Sequence, residues 1–239
     1  MLMFDSAPRR LLKLGLALAL LSLVVPYTVA AQDEGQKEAV EATAEVVAVQ
    51  DIALARQLML YGHRTGTPEP FIAAARIMIE TPISDPQYER RAETGEGSGS
   101  GASEKTEVPG LNLIQLLRTA RDLAGDDENL LAVISELEAS MTKGRVGGPG
   151  MANDRVEANS AIYYEAAYRG GETAIFEVVG DGDTDLDCFV YDEYGNLIVS
   201  DTDYTDHCVL IWTPAYTGAY EIVVKNLGGV WNGIVVTTN

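Results

Sequence analysis

Apolar residues recur with two different periods along this chain. From Gln32 to about Met141 they return every three or four residues, the spacing of helices buried on one side. From Ala161 to Thr237 they alternate, the spacing of strands with one face on a core. In the first part, Ala39 to Arg56 is rich in Ala, Val, Leu and Glu, and Ile52, Leu54, Leu58 and Leu60 carry an apolar stripe on to Tyr61, where Gly62 or Gly66 can close the helix. Thr67-Pro68-Glu69 reads as an N-cap followed by proline at the first helical position, opening a second helix through Phe71, Ile72, Ala75, Ile77 and Ile79 that Pro82 stops. A third helix is expected from about Leu111 to Leu123. A fourth starts at Asp126 or Asp127 and carries Leu130, Leu131, Val133, Ile134 and Leu137.

The second part predicts seven short strands: Ala161 to Tyr168, Thr173 to Val179, Leu186 to Tyr191, Asn196 to Ser200, Cys208 to Thr213, Ala219 to Lys225 and Val230 to Thr237. Turn residues separate them, and Leu186, Cys188 and Val190 share one face, as do Tyr220, Ile222 and Val224. The fold class that follows is a multidomain chain, α plus all-β, with N-terminal helical hairpins and a C-terminal antiparallel β-sandwich of about seven strands. The segments Gly66 to Ala73 and Gly125 to Ala132 share Gly, then Glu, then two large apolar residues and Ala at the same offsets. The helices are therefore either two tetratricopeptide-like hairpins or a generic helical bundle. Ala92 to Gly110, rich in Gly, Ser and Glu, cannot bury a core and should be disordered. Lys143 to Gly150 reads as a flexible linker, which sets the expected division: a signal peptide over 1–31, a helical region over 32–141, a linker over 142–153 and the sandwich over 154–239.

The amino-terminal division rests on Arg9, Arg10 and Lys13, followed by a nearly unbroken apolar run from Leu11 to Val25 and small residues at Val29-Ala30-Ala31. That run is short for a membrane-spanning helix, so export with cleavage before Gln32 is expected, and with it a periplasmic or secreted location and no membrane span after cleavage. Composition sharpens the picture. The formal charge is −19, and loss of the export segment, which carries three basic residues against Asp5, makes the remainder more acidic still. Such a balance argues against nucleic acid and anionic lipid as partners.

Seven carboxylates crowd one stretch: Asp181, Asp183, Asp185 and Asp187 at every second residue, then Asp201, Asp203 and Asp206. Calcium takes six to eight oxygen ligands, and loops at one end of a sandwich could supply them, with Asp154 and Glu157 as further donors. The spacing is not that of an EF-hand, and a solvated acidic rim is the other reading. Alternation places Asp183, Asp185 and Asp187 on the face opposite Leu186 and Cys188. Cys188 and Cys208, both on strands with core-facing neighbours, either form one disulfide closing a loop of about twenty residues, worth roughly 3 kcal/mol, or stay as two buried thiols; export favours the bridge. There is no GxSxG and no HExxH, and the only histidines are His63 and His207, so no recognisable catalytic motif is present. His207 reads as a polar loop residue. Trp212, Trp231 and Tyr220 read as packing residues or as a carbohydrate platform.

The strings Asp185-Leu-Asp-Cys-Phe-Val-Tyr-Asp192, Tyr194-Gly-Asn-Leu197, Ser200-Asp201, Trp212-Thr-Pro214, Gly218-Ala-Tyr220 and Val224-Lys-Asn226 resemble the bacterial pre-peptidase C-terminal domain over about residues 154–239. The resemblance implies a secreted, non-catalytic β-sandwich, often appended to extracellular hydrolases, with related modules that hold calcium and grip polymers. Nothing upstream resembles a peptidase, and Cys188 replaces a usual aliphatic. The expected function is an exported binding or accessory protein, with a helical region that docks to a partner and a sandwich that takes calcium. The alternatives are an accessory subunit of an extracellular hydrolase acting on a polymer, or that hydrolase itself, and a structural envelope protein. The partner is an unknown protein or an extracellular polymer.

Overall fold

The computed structural model describes residues 43–93, 109–141 and 148–239; the expected export segment, residues 94–108 of the expected disordered stretch and residues 142–147 of the expected linker lie outside them. Helix α1 spans Ala44–Thr65. Thr43 caps it by accepting from the Val46 N–H at 3.3 Å, and Gly66, at φ 67°, closes it by donating to the Gly62 carbonyl. Gly62 does not end the helix; it lies beneath Phe71, where a Cβ would come within 2.6 Å of the ring, so the missing side chain lets two helices touch. Helix α2 (Glu69–Glu80) starts after Pro68, which itself occupies the cap position; the Thr67 hydroxyl pairs with Thr65 at 3.0 Å instead of capping. Helix α3 (Leu113–Ala124) is capped by Asn112 and helix α4 (Glu128–Ser140) by Asp127, whose carboxylate accepts from two amides of the first turn. Both hairpin turns use a positive-φ glycine, Gly66 and Gly125, followed by a helix whose first residue is glutamate.

Among the described residues nine strands follow or interrupt the helices: β1 (Tyr88–Glu93), β2 (Gly150–Val156), β3 (Ala161–Tyr168), β4 (Ala174–Val179), β5 (Leu186–Asp192), β6 (Leu197–Asp201), β7 (His207–Trp212), β8 (Gly218–Asn226) and β9 (Asn232–Thr238). They form two antiparallel sheets, ordered β1-β3-β8-β5-β6 and β2-β9-β4-β7. The seven expected strands are β3 to β9. The two additional ones lie at sheet edges: β1 inside the expected helical region and β2 partly inside the expected linker, so the linker stops before Gly150 and Ala92 is a strand residue. Strand β1 is almost wholly exposed and β2 is buried only at its ends, and YERRAE and GMANDRV accordingly lack apolar alternation.

The sandwich core lies between the sheets and includes Ile162, Tyr164, Phe176, Val178, Leu210, Trp212, Ile222 and Val236. Within it Cys188 of β5 is bonded to Cys208 of β7, a disulfide joining the two sheets across the core. The helices cover the outer surface of the four-stranded sheet. Ile175 packs on Val46 and Val49, and Val235 of β9 belongs to the same apolar cluster as Ile52, Phe71, Leu116 and Ile134. All six residues of β4 are buried because both its faces are covered, which explains an apolar run interrupted only by Glu177. One apolar side of the helical region is thus taken up by the chain's own sandwich, while Val47, Leu54 and Tyr61 of α1 and Ile114 and Leu123 of α3 remain exposed.

Candidate functional site

The seven aspartates do not converge on one point. Asp181 accepts from the Gly233 N–H at 2.8 Å, and Asp206 accepts from the Gly182 N–H; both face α1 and act on Arg56. Asp201 accepts from the Val209 N–H at 2.9 Å, satisfying a backbone donor of edge strand β7, and Asp203 accepts from the Thr205 amide and hydroxyl at 2.8 and 2.7 Å. Of the alternating set only Asp187 lies within β5, on the face away from Cys188 as expected; Asp183 and Asp185 precede the strand. Burial, then the charges of Asp185, Asp201 and Asp203, push the Asp187 carboxyl up, with Lys225 opposing them, so four carboxylates share one field. Among the described residues, no group of three or more His, Cys, Asp or Glu is arranged to hold a metal ion. The two further candidates are engaged elsewhere. Asp154 takes a two-pronged bond from Arg90 of β1, at 2.6 and 2.9 Å, and the Tyr164 hydroxyl at 2.9 Å, while Glu157 accepts from Arg155 at 2.7 Å.

A buried polar seam lies between α1 and the four-stranded sheet. Arg56, only 1% exposed, donates from Nη1 to the Pro109 carbonyl at 2.7 Å and from Nη2 to the Gly233 carbonyl at 3.1 Å. Burial pulls its guanidinium down to about 10 against the raising influence of Asp181 and Asp206, so it stays charged at neutral pH. Glu177 of β4, 3% exposed, sits 2.7 Å through Oε1 from His207 Nε2, and His207 Nδ1 faces Gln57 Nε2 of α1 at 3.1 Å. His207 therefore joins a sheet to a helix and is not a free loop residue. Its second nitrogen meets an amide, not a hydroxyl or thiol that it could activate. Arg56 and Glu177 are absent from the candidates read in the sequence, although Glu177 carried a signal: a lone carboxylate between Phe176 and Val178 in an apolar strand needs a buried partner.

The outer surface of the five-stranded sheet is the other concentration of chemistry. Strand register aligns Arg91, Tyr163, Val223, Phe189 and Ser200 in one row across all five strands, and Glu89, Glu165, Glu221, Tyr191 and Leu197 in the next. The Arg91 guanidinium lies 4.0 Å from the centre of the Tyr163 ring and its Nη2 is 3.4 Å from Glu221; Lys225 lies 4.6 Å from the centre of the Phe189 ring. Phe189 stacks with Tyr191, their centroids 6.3 Å apart. Beneath these side chains Val223 is 3% exposed. A depression of about 360 Å³, lined in part by Glu93, Asn159, Lys225 and Leu227, opens beside the row. Of the aromatic residues singled out in the sequence, Trp212 and Tyr220 are core, packed against Tyr168, while Trp231 lies beside Arg155. The outward rings of this face are Phe189 and Tyr191, two residues apart on β5, and Tyr163, which only pairing register brings to them.

No family model matches the chain, including over the stretch that resembles the pre-peptidase domain, and no curated protein matches it. Solved structures similar to part of it include a periplasmic inhibitor of g-type lysozyme from Aeromonas hydrophila, 14% identical, with 38% of this chain and 86% of that one covered and a TM-score of 0.29. A carbohydrate-binding module of a Cellvibrio mixtus lichenase is 10% identical over 38% of this chain and 86% of that one, with a TM-score of 0.25. The C-terminal carbohydrate-binding module of a Zobellia galactanivorans laminarinase is 10% identical over 36% of this chain and 99% of that one, with a TM-score of 0.21. Likeness at this level carries no functional argument, which rests on the side chains.

Proposed function

We propose that this protein is exported and, without catalysis of its own, binds a neutral extracellular polysaccharide on the outer face of its five-stranded sheet. The observation that carries the reading is the register-aligned row of Arg91, Tyr163, Val223 and Phe189, with Tyr191 and Glu221 beside it. Sugar rings present flat C–H faces that stack on aromatic rings, and hydroxyls that pair with carboxylates and guanidinium groups; this face holds both kinds of group side by side. Five strands at their normal separation span roughly 19 Å, room for several sugar units, which suits a polymer. The −19 charge of the chain weighs against an anionic polymer. Export is supported by the disulfide, a bond that persists in oxidising compartments. Among the described residues no helix is long and apolar enough to cross a membrane.

The test is electrophoresis through gels containing soluble neutral glucans, xylans and mannans, with co-sedimentation on cellulose and chitin. Wild type should be retarded by at least one of them, and the Tyr163→Ala/Phe189→Ala variant, shown folded by circular dichroism, should lose about tenfold or more in affinity, as expected for two stacking rings. Retention by none of these polymers, or equal retention by the variant, overturns the proposal.

A further inference from the structure

We propose that His207 is a proton-operated latch between helix α1 and the sandwich, closed when the imidazole is protonated and loosened when it is not. His207 opens β7 at the edge of the four-stranded sheet, and its two ring nitrogens reach in opposite directions: Nε2 to the buried Glu177 of β4 at 2.7 Å, Nδ1 to Gln57 of α1 at 3.1 Å. The ring is thus the polar bridge from helix to sheet at this point of the seam. In its neutral form Nε2–H donates to Glu177 and Nδ1 accepts from the Gln57 amide. On protonation both nitrogens donate, and Gln57, which is exposed, turns its amide to offer oxygen.

The charges around the ring decide which form holds the seam. Facing it are Glu177 from β4, Asp201 from the end of β6 and Asp206 from the loop before β7, with Gln57 from α1. The cation supplied by α1, Arg56, is committed to the carbonyls of Pro109 and Gly233 and balances Asp181 and Asp206. Without a proton on His207, the Glu177 carboxylate is buried with no cation of its own, a costly arrangement. Burial alone would lower the His207 imidazole, but the hydrogen bond and charge of Glu177, followed by the charges of Asp201 and Asp206, outweigh it and hold it above its ordinary value. Burial likewise pushes Glu177 up, against the influence of His207, so both partners favour keeping protons on the pair.

The sign follows. A histidine whose folded-state value is raised contributes stability that is complete below its unfolded value, near 6.5, and lost as pH rises through the folded value; the raised Glu177 acts in the same direction. Alkalinisation therefore frees α1 from β4 and β7, while the hairpin of α3 and α4, which among the described residues makes no hydrogen bond to His207, is unaffected. A protein outside the cytoplasm meets the pH of its surroundings, so the seam reports that pH directly.

The experiment uses the whole exported chain. Nitrogen-detected NMR of the imidazole follows His207 against pH, and hydrogen exchange of α1 amides is measured over the same range, corrected for the intrinsic base catalysis of exchange. The midpoint should lie above the ordinary histidine value. Opening of α1 should rise by about tenfold for each unit by which it does so, with no change in α4. In Glu177→Gln the midpoint should fall and the pH dependence of α1 opening should vanish, whereas Gln57→Ala, at an exposed position, should keep the raised midpoint. A wild-type midpoint at or below the ordinary value, or α1 exchange that does not follow the titration, overturns the proposal, and both are read on the wild type even if a variant fails to fold.

Discussion

Replacing Arg56 by methionine should be the most damaging single change in the helix–sheet seam. The methionine keeps most of the volume of the side chain but removes two charge-assisted hydrogen bonds, to the Pro109 carbonyl at 2.7 Å and the Gly233 carbonyl at 3.1 Å. These tie α1 both to the segment leading into α3 and to β9. Each such bond is worth about 1.5–3 kcal/mol. Their loss also leaves two carbonyls to be desolvated without a partner, and Asp181 and Asp206 without the cation that balances them. Removing one member of a buried charge group costs about 3–5 kcal/mol, and we expect the variant to fall in that range. For a chain of this size that corresponds to a drop of roughly 6–20 °C in Tm. Urea unfolding followed by circular dichroism gives the number directly, and adding Asp181→Asn and Asp206→Asn to Arg56→Met should recover part of the loss, since the uncompensated charges go with it. A loss below about 1 kcal/mol, or no recovery in the triple variant, would refute the idea that the guanidinium acts as the charged anchor of this seam.

The disulfide should contribute about 3 kcal/mol, the value expected for a closed loop of its 20-residue span, so unfolding in urea with and without reductant should differ by that amount; coincident curves would show that the two sheets hold together equally well without it. Calcium at about 1 mM, compared with chelator, should leave the melting temperature unchanged, because Asp181, Asp201, Asp203 and Asp206 each spend an oxygen on a different backbone amide and, among the described residues, no group of carboxylates is arranged to hold an ion. A rise, accompanied by heat in calorimetric titration, would instead place an ion among Asp185, Asp187, Asp201 and Asp203, which share one field.

Strands β3, β5 and β7 were legible because each alternates between core and outside, β4, β8 and β9 because their apolar residues are dense, and β6 because Leu197, Ile198 and Val199 follow a clear turn. The pairing of Cys188 with Cys208 was legible for the same reason: both occupy core-facing positions in a sequence that reads as exported. Strands β1 and β2 were not: β1 is exposed along almost its whole length and β2 is buried only at its ends, so neither carries an alternation, and their hydrogen-bonding partners β3 and β9 lie well separated from them along the chain. The aspartates illustrate a second limit. Spacing in sequence placed them near one another but not which of them would spend an oxygen on a backbone amide: Asp201 on Val209, Asp206 on Gly182, Asp181 on Gly233. Arg56 was hidden in a helical period that reads equally well with a solvent-facing arginine. The outward row of Tyr163 and Phe189 required the register between strands that are far apart in sequence, and no local pattern contains it.

The path of β1 bears on how the molecule can be made. This strand lies between two helical hairpins in sequence yet belongs to the sheet on the far side from the helices, where Tyr88 pairs with Ala166 and Glu93 with Ala161. Helix α1, synthesised earlier still, rests on β4 and β9, the latter the last strand of the chain. The early half therefore has no complete surface to fold against until the C-terminal strands exist, and the protein must assemble as one late cooperative event of high contact order. A shortened version starting at residue 148 would leave β3 with a bare edge and β4 with an uncovered apolar face, an invitation to aggregate instead of a working module.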